Sequence, residues 1–391
     1  MNKVYIVGYK RTPIGKLGGR LSNYSAIDLG CMALKSMLKE YGIPKKHVDN
    51  VYIGCVLQSS LGQNVARQIS INSGISINTP ATTINMVCGS GMESINIAFN
   101  SIRVGDADLT IAGGTESMSN APFAIKKMRF GTKIGYPFSE SSLIDTMVYD
   151  SLWDVYNNCH MGVTAEYIAK KYKLERKELD NFALKSQKKF FKAYKNNKFE
   201  NEIVHTIKNG TILIDENPRP NITKKDLQKL KPAFVRNGVV TAGNSSSIND
   251  GAAVIALASE KAIKKYKLTP LAEIIGYEAC GINPKYMGIA PISATKKLIK
   301  KSKIDLNDID LFEINEAFAS QTIAVKNELQ IPERKLNIYG GAIALGHPVG
   351  ASGCRILVTL LNALIQEKKN IGLATLCVGG GIGCSILIKR V

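Results

Sequence analysis

The chain is predicted to fold as an α/β protein of two related halves with a long inserted segment between them. Three observations predict this. The outer parts alternate strand-like and helix-like segments, which argues for parallel sheets with covering helices. The C-terminal third repeats the plan of the N-terminal part, and the middle breaks the alternation with a change of composition. With 391 residues, 45% of them hydrophobic, the chain can build two or three domains around sizeable cores.

The elements follow in order. Val4 to Gly8 is a short apolar run and reads as a buried first strand. Ser25 to Tyr41 reads as a helix: Ser25 and Asp28 form a Ser-x-x-Asp cap, and Leu29, Met32, Ala33, Ser36 and Met37 follow along one face. Gly42 stops it. Asn50 to Cys55, Thr82 to Val87 and Leu109 to Gly113 are further strands, and a helix should run from Ser90 to about Val104. From Ser117 to about Thr241 come Pro122, Pro137, Pro218, Pro220, Pro232 and the single Trp153. Two Lys-rich helices are expected there, near Gly162 to Tyr172 and Glu178 to Asn196. The first half is rejoined at Gly243 to Ser259, with Ala252 to Ala258 as a buried strand. Asp310 to Ile314 is a strand, a helix after Gly350 runs to about Ile365, and Ile371 to Val378 is a strand ending in Gly379-Gly380-Gly381. The repeat sets the Cys88 turn opposite the His347 loop, and the Gly113-Gly114 turn opposite Cys377. The expected divisions are 1–116 (rejoined by 243–268), the insert 117–242, and 269–391.

Composition narrows the function classes. The short apolar N-terminus is followed at once by Lys10, Arg11 and Pro13, unlike a signal peptide. No uninterrupted apolar run of about 18 residues appears, so no helix is expected to span a membrane. There is no Ser-Lys-Leu tail and no Arg-rich presequence, so the expected location is cytoplasmic. Eight cysteines lack Cys-x-x-Cys spacing, which argues against a metal site and, without a secretory signal, against disulfides. The net charge is +19. Between Glu166 and Lys231 there are 17 Lys and Arg against 9 Asp and Glu. A solvated helical face accounts for such a run, as does attraction of a small phosphorylated ligand. Aromatic platforms for single-stranded nucleic acid are not interleaved with it.

Three glycine-set motifs carry the chemistry: Val87-Cys88-Gly89-Ser90-Gly91, Gly346-His347-Pro348-Val349-Gly350-Ala351-Ser352-Gly353, and Cys377-Val378-Gly379-Gly380-Gly381-Ile382-Gly383. Cys88 ends a strand and precedes a helix, where free N–H groups and the dipole favour a thiolate and should lower its pKa. An inert core thiol is the alternative. His347 is a candidate base and equally a structural histidine. Cys377 is a second acid/base candidate or a packed strand-end thiol, and the glycines after it expose N–H groups suited to an oxyanion. Asn315, in Asn315-Glu316-Ala317-Phe318, can orient a water or a carbonyl, or cap a helix. Gly243 to Ser247 is a polar turn able to hold a ligand amide.

In this order and combination, with Arg11-Thr12-Pro13-Ile14-Gly15 near the start, the motifs resemble the thiolase family along the whole chain, on its biosynthetic, acetyl-transferring side. The resemblance implies a layered α/β/α/β/α core of two related halves with an inserted loop domain. It also implies a two-step Claisen condensation of two acetyl-CoA to acetoacetyl-CoA, with CoA as substrate and product and no permanent cofactor. Cys88 would carry the acetyl group after activation by His347, and Cys377 would remove a proton from the second acetyl-CoA. One oxyanion site would use His347 and a water held by Asn315. The other would use the N–H groups of Cys88 and Gly379. Leu152, His160, Met161, Arg219, Phe234, Ala242, Ser246, Met287 and Phe318 match the family's CoA and acyl contacts, Arg219 within a segment that departs from the family pattern. Met161 and Met287 would close the pocket around short acyl groups, and a homotetramer built as a dimer of dimers is implied. A broad-chain degradative 3-ketoacyl-CoA thiolase is the alternative activity. A non-catalytic CoA-binding or nucleic-acid-binding protein stands further off. The ketosynthase Cys-His-His arrangement is not found.

Overall fold

The computed structural model describes residues 1–126, 128–130, 143–204 and 214–391. Pro137 and His205 lie outside them. The strands used below are β1 (Val4–Arg11), β2 (Asn50–Gly54), β3 (Ala81–Ile84), β4 (Leu109–Ser117), β5 (Asn249–Ser259), β6 (Ala272–Gly281), β7 (Leu311–Ile314), β8 (Ile371–Val378) and β9 (Ile382–Arg390). The helices are α1 (Ala26–Glu40), α2 (Val65–Asn72), α3 (Ser90–Val104), α4 (Met161–Lys171), α5 (Arg176–Lys195), α6 (Ala290–Ser302), α7 (Ala319–Glu328) and α8 (Val349–Gln366).

The sheet order is β7-β8-β9-β6-β1-β5-β4-β2-β3. Among the described residues its two halves pair at a short seam, Tyr5 opposite Glu273 and Ile6 opposite Ala272. The strand senses repeat across that seam. In the N-terminal half β3, β2 and β4 are parallel, and β5 and β1 follow antiparallel. In the C-terminal half β7 and β8 are parallel, then β9 and β6 follow antiparallel, and a single bridge at Leu336 beside Phe312 stands where β3 stands in the other half. The sheet is therefore mixed, and the expectation of parallel sheets is corrected: β2, β3 and β4, and β7 and β8, are parallel, and the other pairs are antiparallel. β9 follows β8 directly through the glycine turn, so the two pair antiparallel.

Local chemistry sets several boundaries. Ser25 and Asp28 form the expected reciprocal cap of α1, with Asp28 N donating to Ser25 Oγ at 3.1 Å and Ser25 N to Asp28 Oδ2 at 3.0 Å. β3 ends at Ile84, not at Val87. Asn85 Oδ1 accepts from Val87 N (3.0 Å), and Ser90 Oγ donates to Val87 O (2.6 Å), winding the chain out of the strand.

α3 and α8 lie between the two half-sheets, α1 and α2 cover the outside of the first, and α6 covers the second. α8 is buried from Val349 to Leu364. By length and composition it is apolar enough to cross a membrane, a property masked in the sequence by Arg355 and Asn362. Ile356, Leu357, Leu360, Leu361 and Leu364 pack into the central core instead, each contributing on the order of 1.5–3 kcal/mol. The insert packs its helices α4 and α5 against α7. Buried Arg11 ties it to β1, binding Glu202 at 2.6 Å and Asp215 through two bonds of 2.7 and 2.9 Å.

The central helices touch backbone to backbone. A Cβ added at Gly353 would stand 2.5 Å from Met92 N, and one at Gly91 would stand 2.9 Å from Cys354 N and Gly350 O. Gly353→Ala therefore incurs an overpacking cost of about 1–3 kcal/mol against about 0.5–1 kcal/mol of helix propensity gained. We expect a net loss of stability in urea denaturation, with a larger loss of activity. Gly281→Ala, which meets nothing within 4 Å, should leave both unchanged.

Candidate active site

Cys88 sits in the turn between β3 and α3. That turn holds Val87 at φ +45°, a conformation that costs a β-branched residue on the order of 1–3 kcal/mol. The strain is held by the Asn85 and Ser90 bonds above, with Gly89 N donating to Met86 O (2.9 Å) and Ser90 N to Val87 O (3.1 Å). Cys88 keeps partial exposure, but its thiol is enclosed and receives the backbone N–H groups of Gly379 and of Cys88 itself. Burial nevertheless pushes the thiol up to about 11. The lowered pKa expected from the helix N-terminus is corrected: desolvation outweighs the dipole and the two N–H donors.

His347 ends the loop before α8. Gly346 has φ +109° and lies against the Asn249 side chain, leaving no room for a Cβ. Asn249 Oδ1 accepts from His347 N (2.9 Å) and from Ser247 Oγ (2.6 Å), while its amide donates to Gly15 O (2.8 Å). The ring's Nδ1 is bonded to Ser352 Oγ at 2.5 Å, and Nε2 lies 3.4 Å from Asn315 Nδ2. Burial, helped by the positive charge of Arg355, pushes His347 down to about 3, so the imidazole is neutral at physiological pH. Asn315 Oδ1 is buried with no hydrogen-bond partner among the described residues.

Cys377, in the last turn of β8, is 1% exposed. Burial first, and the neighbouring Cys88 second, push its thiol well above the ordinary range. Gly379 follows, and a Cβ there would sit 3.5 Å from both Met161 Cε and Val87 Cγ1.

One cavity of about 480 Å³ is lined by Cys88, His347, Cys377 and Gly379 together with Leu152, His160, Met161, Arg219, Phe234, Ala242, Ser246, Met287 and Phe318. Asn315 lies behind its wall, joined through His347. Every residue singled out in the sequence thus converges here. His160 caps α4, its Nδ1 accepting from Gly162 N (3.0 Å), and its ring stacks on Phe234 at 4.8 Å. The polar turn docks on the Asn315 motif, with Ser246 N donating to Ala317 O at 2.9 Å and Ala319 N to Asn244 O at 2.9 Å.

Several contributors were not legible in the sequence. Lys16, Met118 and Asn217 also line the cavity. Glu116 is fully buried beneath it and accepts from Val56 N (3.0 Å), Leu57 N (3.0 Å) and Gly350 N (2.8 Å), with burial pushing it up to about 7. The turn expected at Gly113-Gly114 is corrected: both glycines lie within β4, which runs on through Glu116 to Ser117 because Gly113 and Gly114 pair with Val254 and Ala253 of β5. A second, basic cavity of about 380 Å³ meets the first at Arg219 and is lined by Lys188, Lys192 and Lys195 of α5 over Leu184, Phe191 and Ile222.

This arrangement agrees with what the chain is similar to. The N-terminal thiolase domain matches residues 4–261, and the C-terminal thiolase domain matches residues 268–390. The chain is 45% identical to a probable acetyl-CoA acyltransferase of Staphylococcus aureus, over the full length of both. It superposes on human mitochondrial 3-ketoacyl-CoA thiolase in complex with CoA with a TM-score of 0.96 at 41% identity, covering 100% of this chain and 98% of the other. For the acetyl-CoA acetyltransferase of Bacillus anthracis the TM-score is 0.95 at 39% identity, with coverage of 100% and 99%. The chain belongs to the thiolase family and is an acyltransferase.

Because the resting Cys88 is a protonated thiol, its alkylation by iodoacetamide should keep accelerating from about pH 7 to about pH 10 instead of levelling near 8.5. With His347 neutral throughout, no inflection should appear near pH 6.5. Peptide mass spectrometry of modified Cys88 against time gives the profile. A plateau at about pH 8.5 would show a thiol of ordinary acidity.

Proposed function

We propose that the protein reversibly joins two acetyl-CoA molecules into acetoacetyl-CoA and free CoA, through an acetyl group carried on Cys88. The observation that carries this reading is the apolar cluster of Met161, Met287, Ala317 and Phe318 packed around Cys377, in the cavity that Cys88 and His347 also line. Apolar bulk beside two thiols and a base supports a short acyl group there.

In the first half-reaction His347 takes the Cys88 proton as the sulfur attacks the thioester carbonyl, and the CoA thiolate leaves. That thiolate takes the Cys377 proton and departs as CoA, so the enzyme holds an imidazolium and a Cys377 thiolate. Cys377 then removes a proton from the methyl group of the second acetyl-CoA. The carbanion attacks the acetyl carbonyl, and the released Cys88 sulfur recovers its proton from His347. All three groups return to their starting states. The N–H groups of Cys88 and Gly379, which already converge on the Cys88 thiol, receive the oxyanion formed on the acetyl-cysteine. Protonated His347, with Asn315 beside it, faces the thioester oxygen of the enolate. The basic cavity at Arg219 suits the phosphates of CoA, since Lys188, Lys192 and Lys195 present positive charge over an apolar floor.

The likeness to human mitochondrial 3-ketoacyl-CoA thiolase favours a second reading, broad-chain thiolysis, and one comparison separates them. Specificity constants for 3-ketoacyl-CoAs of rising length should fall beyond acetoacetyl-CoA, and Met287→Ala should lift the longer chains. A wild-type preference for long chains would replace the first reading by the second. With labelled acetyl-CoA, Cys88→Ser should form no acetyl-thioenzyme, whereas Cys377→Ala should still acetylate but not condense. Equal loss of both half-reactions in Cys377→Ala would refute the division of labour. Lys192→Glu should raise KM for CoA several-fold and flatten its salt dependence, because less attraction is left for salt to screen. It should leave KM unchanged for an acyl-pantetheine lacking the nucleotide.

A further inference from the structure

We propose that Ser352 is a positioning residue that holds His347 with its proton on Nδ1, leaving Nε2 as the nitrogen that accepts the Cys88 proton. The motif around His347 contains this serine, and none of the roles given above uses it.

Ser352 lies one turn into α8 and is fully buried. Its Oγ makes two hydrogen bonds. It donates to Pro348 O at 2.8 Å, the back-bond of a helical serine to the residue four before it. It also bonds His347 Nδ1. A hydroxyl has one proton, and Pro348 O holds it, so the oxygen faces Nδ1 as an acceptor and Nδ1 must carry hydrogen. The other edge agrees, because Asn315 Nδ2 is a donor 3.4 Å from Nε2, which suits a lone pair there and not a second N–H. The opposite tautomer would set two lone pairs against each other at Ser352 and two N–H groups against each other at Asn315. His160 shows the other assignment in the same cavity, its Nδ1 accepting from Gly162 N. The two rings therefore carry their protons on different nitrogens because different backbone and side-chain groups face them. When the reaction protonates Nε2, the bond from Nδ1–H to Ser352 persists and keeps the ring held on that edge.

The first test does not depend on the substrate. In the ¹⁵N-histidine-labelled full-length protein, His347, assigned by its loss in His347→Asn, should show a protonated Nδ1 and an unprotonated Nε2. In Ser352→Ala the proton should move wholly or partly to Nε2. The second test rests on the acyl-transfer reading: Ser352→Ala should lower kcat for acetylation of Cys88 by roughly tenfold to a hundredfold with KM nearly unchanged, and Ser352→Thr, which keeps the hydroxyl, should recover most of it. An unprotonated Nδ1 in the wild-type protein overturns the proposal, and that spectrum decides even if Ser352→Ala does not fold. Unchanged tautomer and rate in a folded Ser352→Ala also overturn it. Correct tautomers in a protein that acetylates nothing would overturn the acyl-transfer reading and leave Ser352's role standing.

Discussion

The near-contact of α3 and α8 is the constraint on which the site depends. Cys88 enters the first helix and His347 enters the second, so neither half of the chain holds a nucleophile and a base together. The helices can approach this far because Gly91 and Gly353 face Cys354 and Met92 across the crossing. Gly350 fits against Gly114 of β4 in the same way. One methyl group at the crossing would need a backbone shift, and such shifts move the two reactive groups relative to each other. Packing density at the centre and geometry at the site are the same variable here.

The resting site is electrically quiet. A protonated Cys88, a protonated Cys377 and a neutral His347 all follow from burial. The magnitudes explain why the helix terminus does not win. A rise from 9 to about 11 corresponds to about 3 kcal/mol, whereas a helix dipole supplies typically 0.3–1 kcal/mol. In the proposed cycle charge appears as an internal pair, imidazolium and thiolate, stabilised by donors already in place. Two buried acids, both pushed up by burial, lie on the far side of the reactive groups: Glu116 is tied to three N–H groups, and Glu313 lies 3.8 Å from Arg355.

Much of this was legible from local chemistry. The capping box of α1, the span of α3 and the limits of β8 depend on residues a few positions apart, and they stand where the spacing put them. The reactive side chains were legible because glycines flank them. What was missed depends on distant partners. Glu116 gains its place from Val56, Leu57 and Gly350, up to 234 residues away. The left-handed Val87 follows a β-branched run that locally reads as strand, and only Asn85 and Ser90 turn it. The mixed sheet was hidden because alternation reports the order of elements and not the direction in which a strand returns. α8 was readable as a helix, but its burial on all sides is a property of its neighbours.

The repeat also explains how one plan yields two different reactive groups. Both central helices begin after a tight turn at the same end of their half-sheets. In the first half the turn runs straight from Val87 into the helix, so the side chain at position 88 meets the free N–H groups and the Gly379 amide. In the second half Gly346 carries the chain through φ +109° and Pro348 starts the helix. This sets the side chain at position 347 back against Ser352, where an imidazole finds an acceptor and a thiol would find none of the oxyanion donors. The β4 and β8 ends diverge in the same manner: β4 continues past Gly113 and Gly114 to Glu116, which accepts from Gly350 N of the other half's helix, while β8 ends at Val378, just after Cys377, and turns through glycines. Asymmetry at four loop ends, laid on a symmetric frame, is enough to separate the residues proposed as nucleophile, base, proton carrier and oxyanion donors.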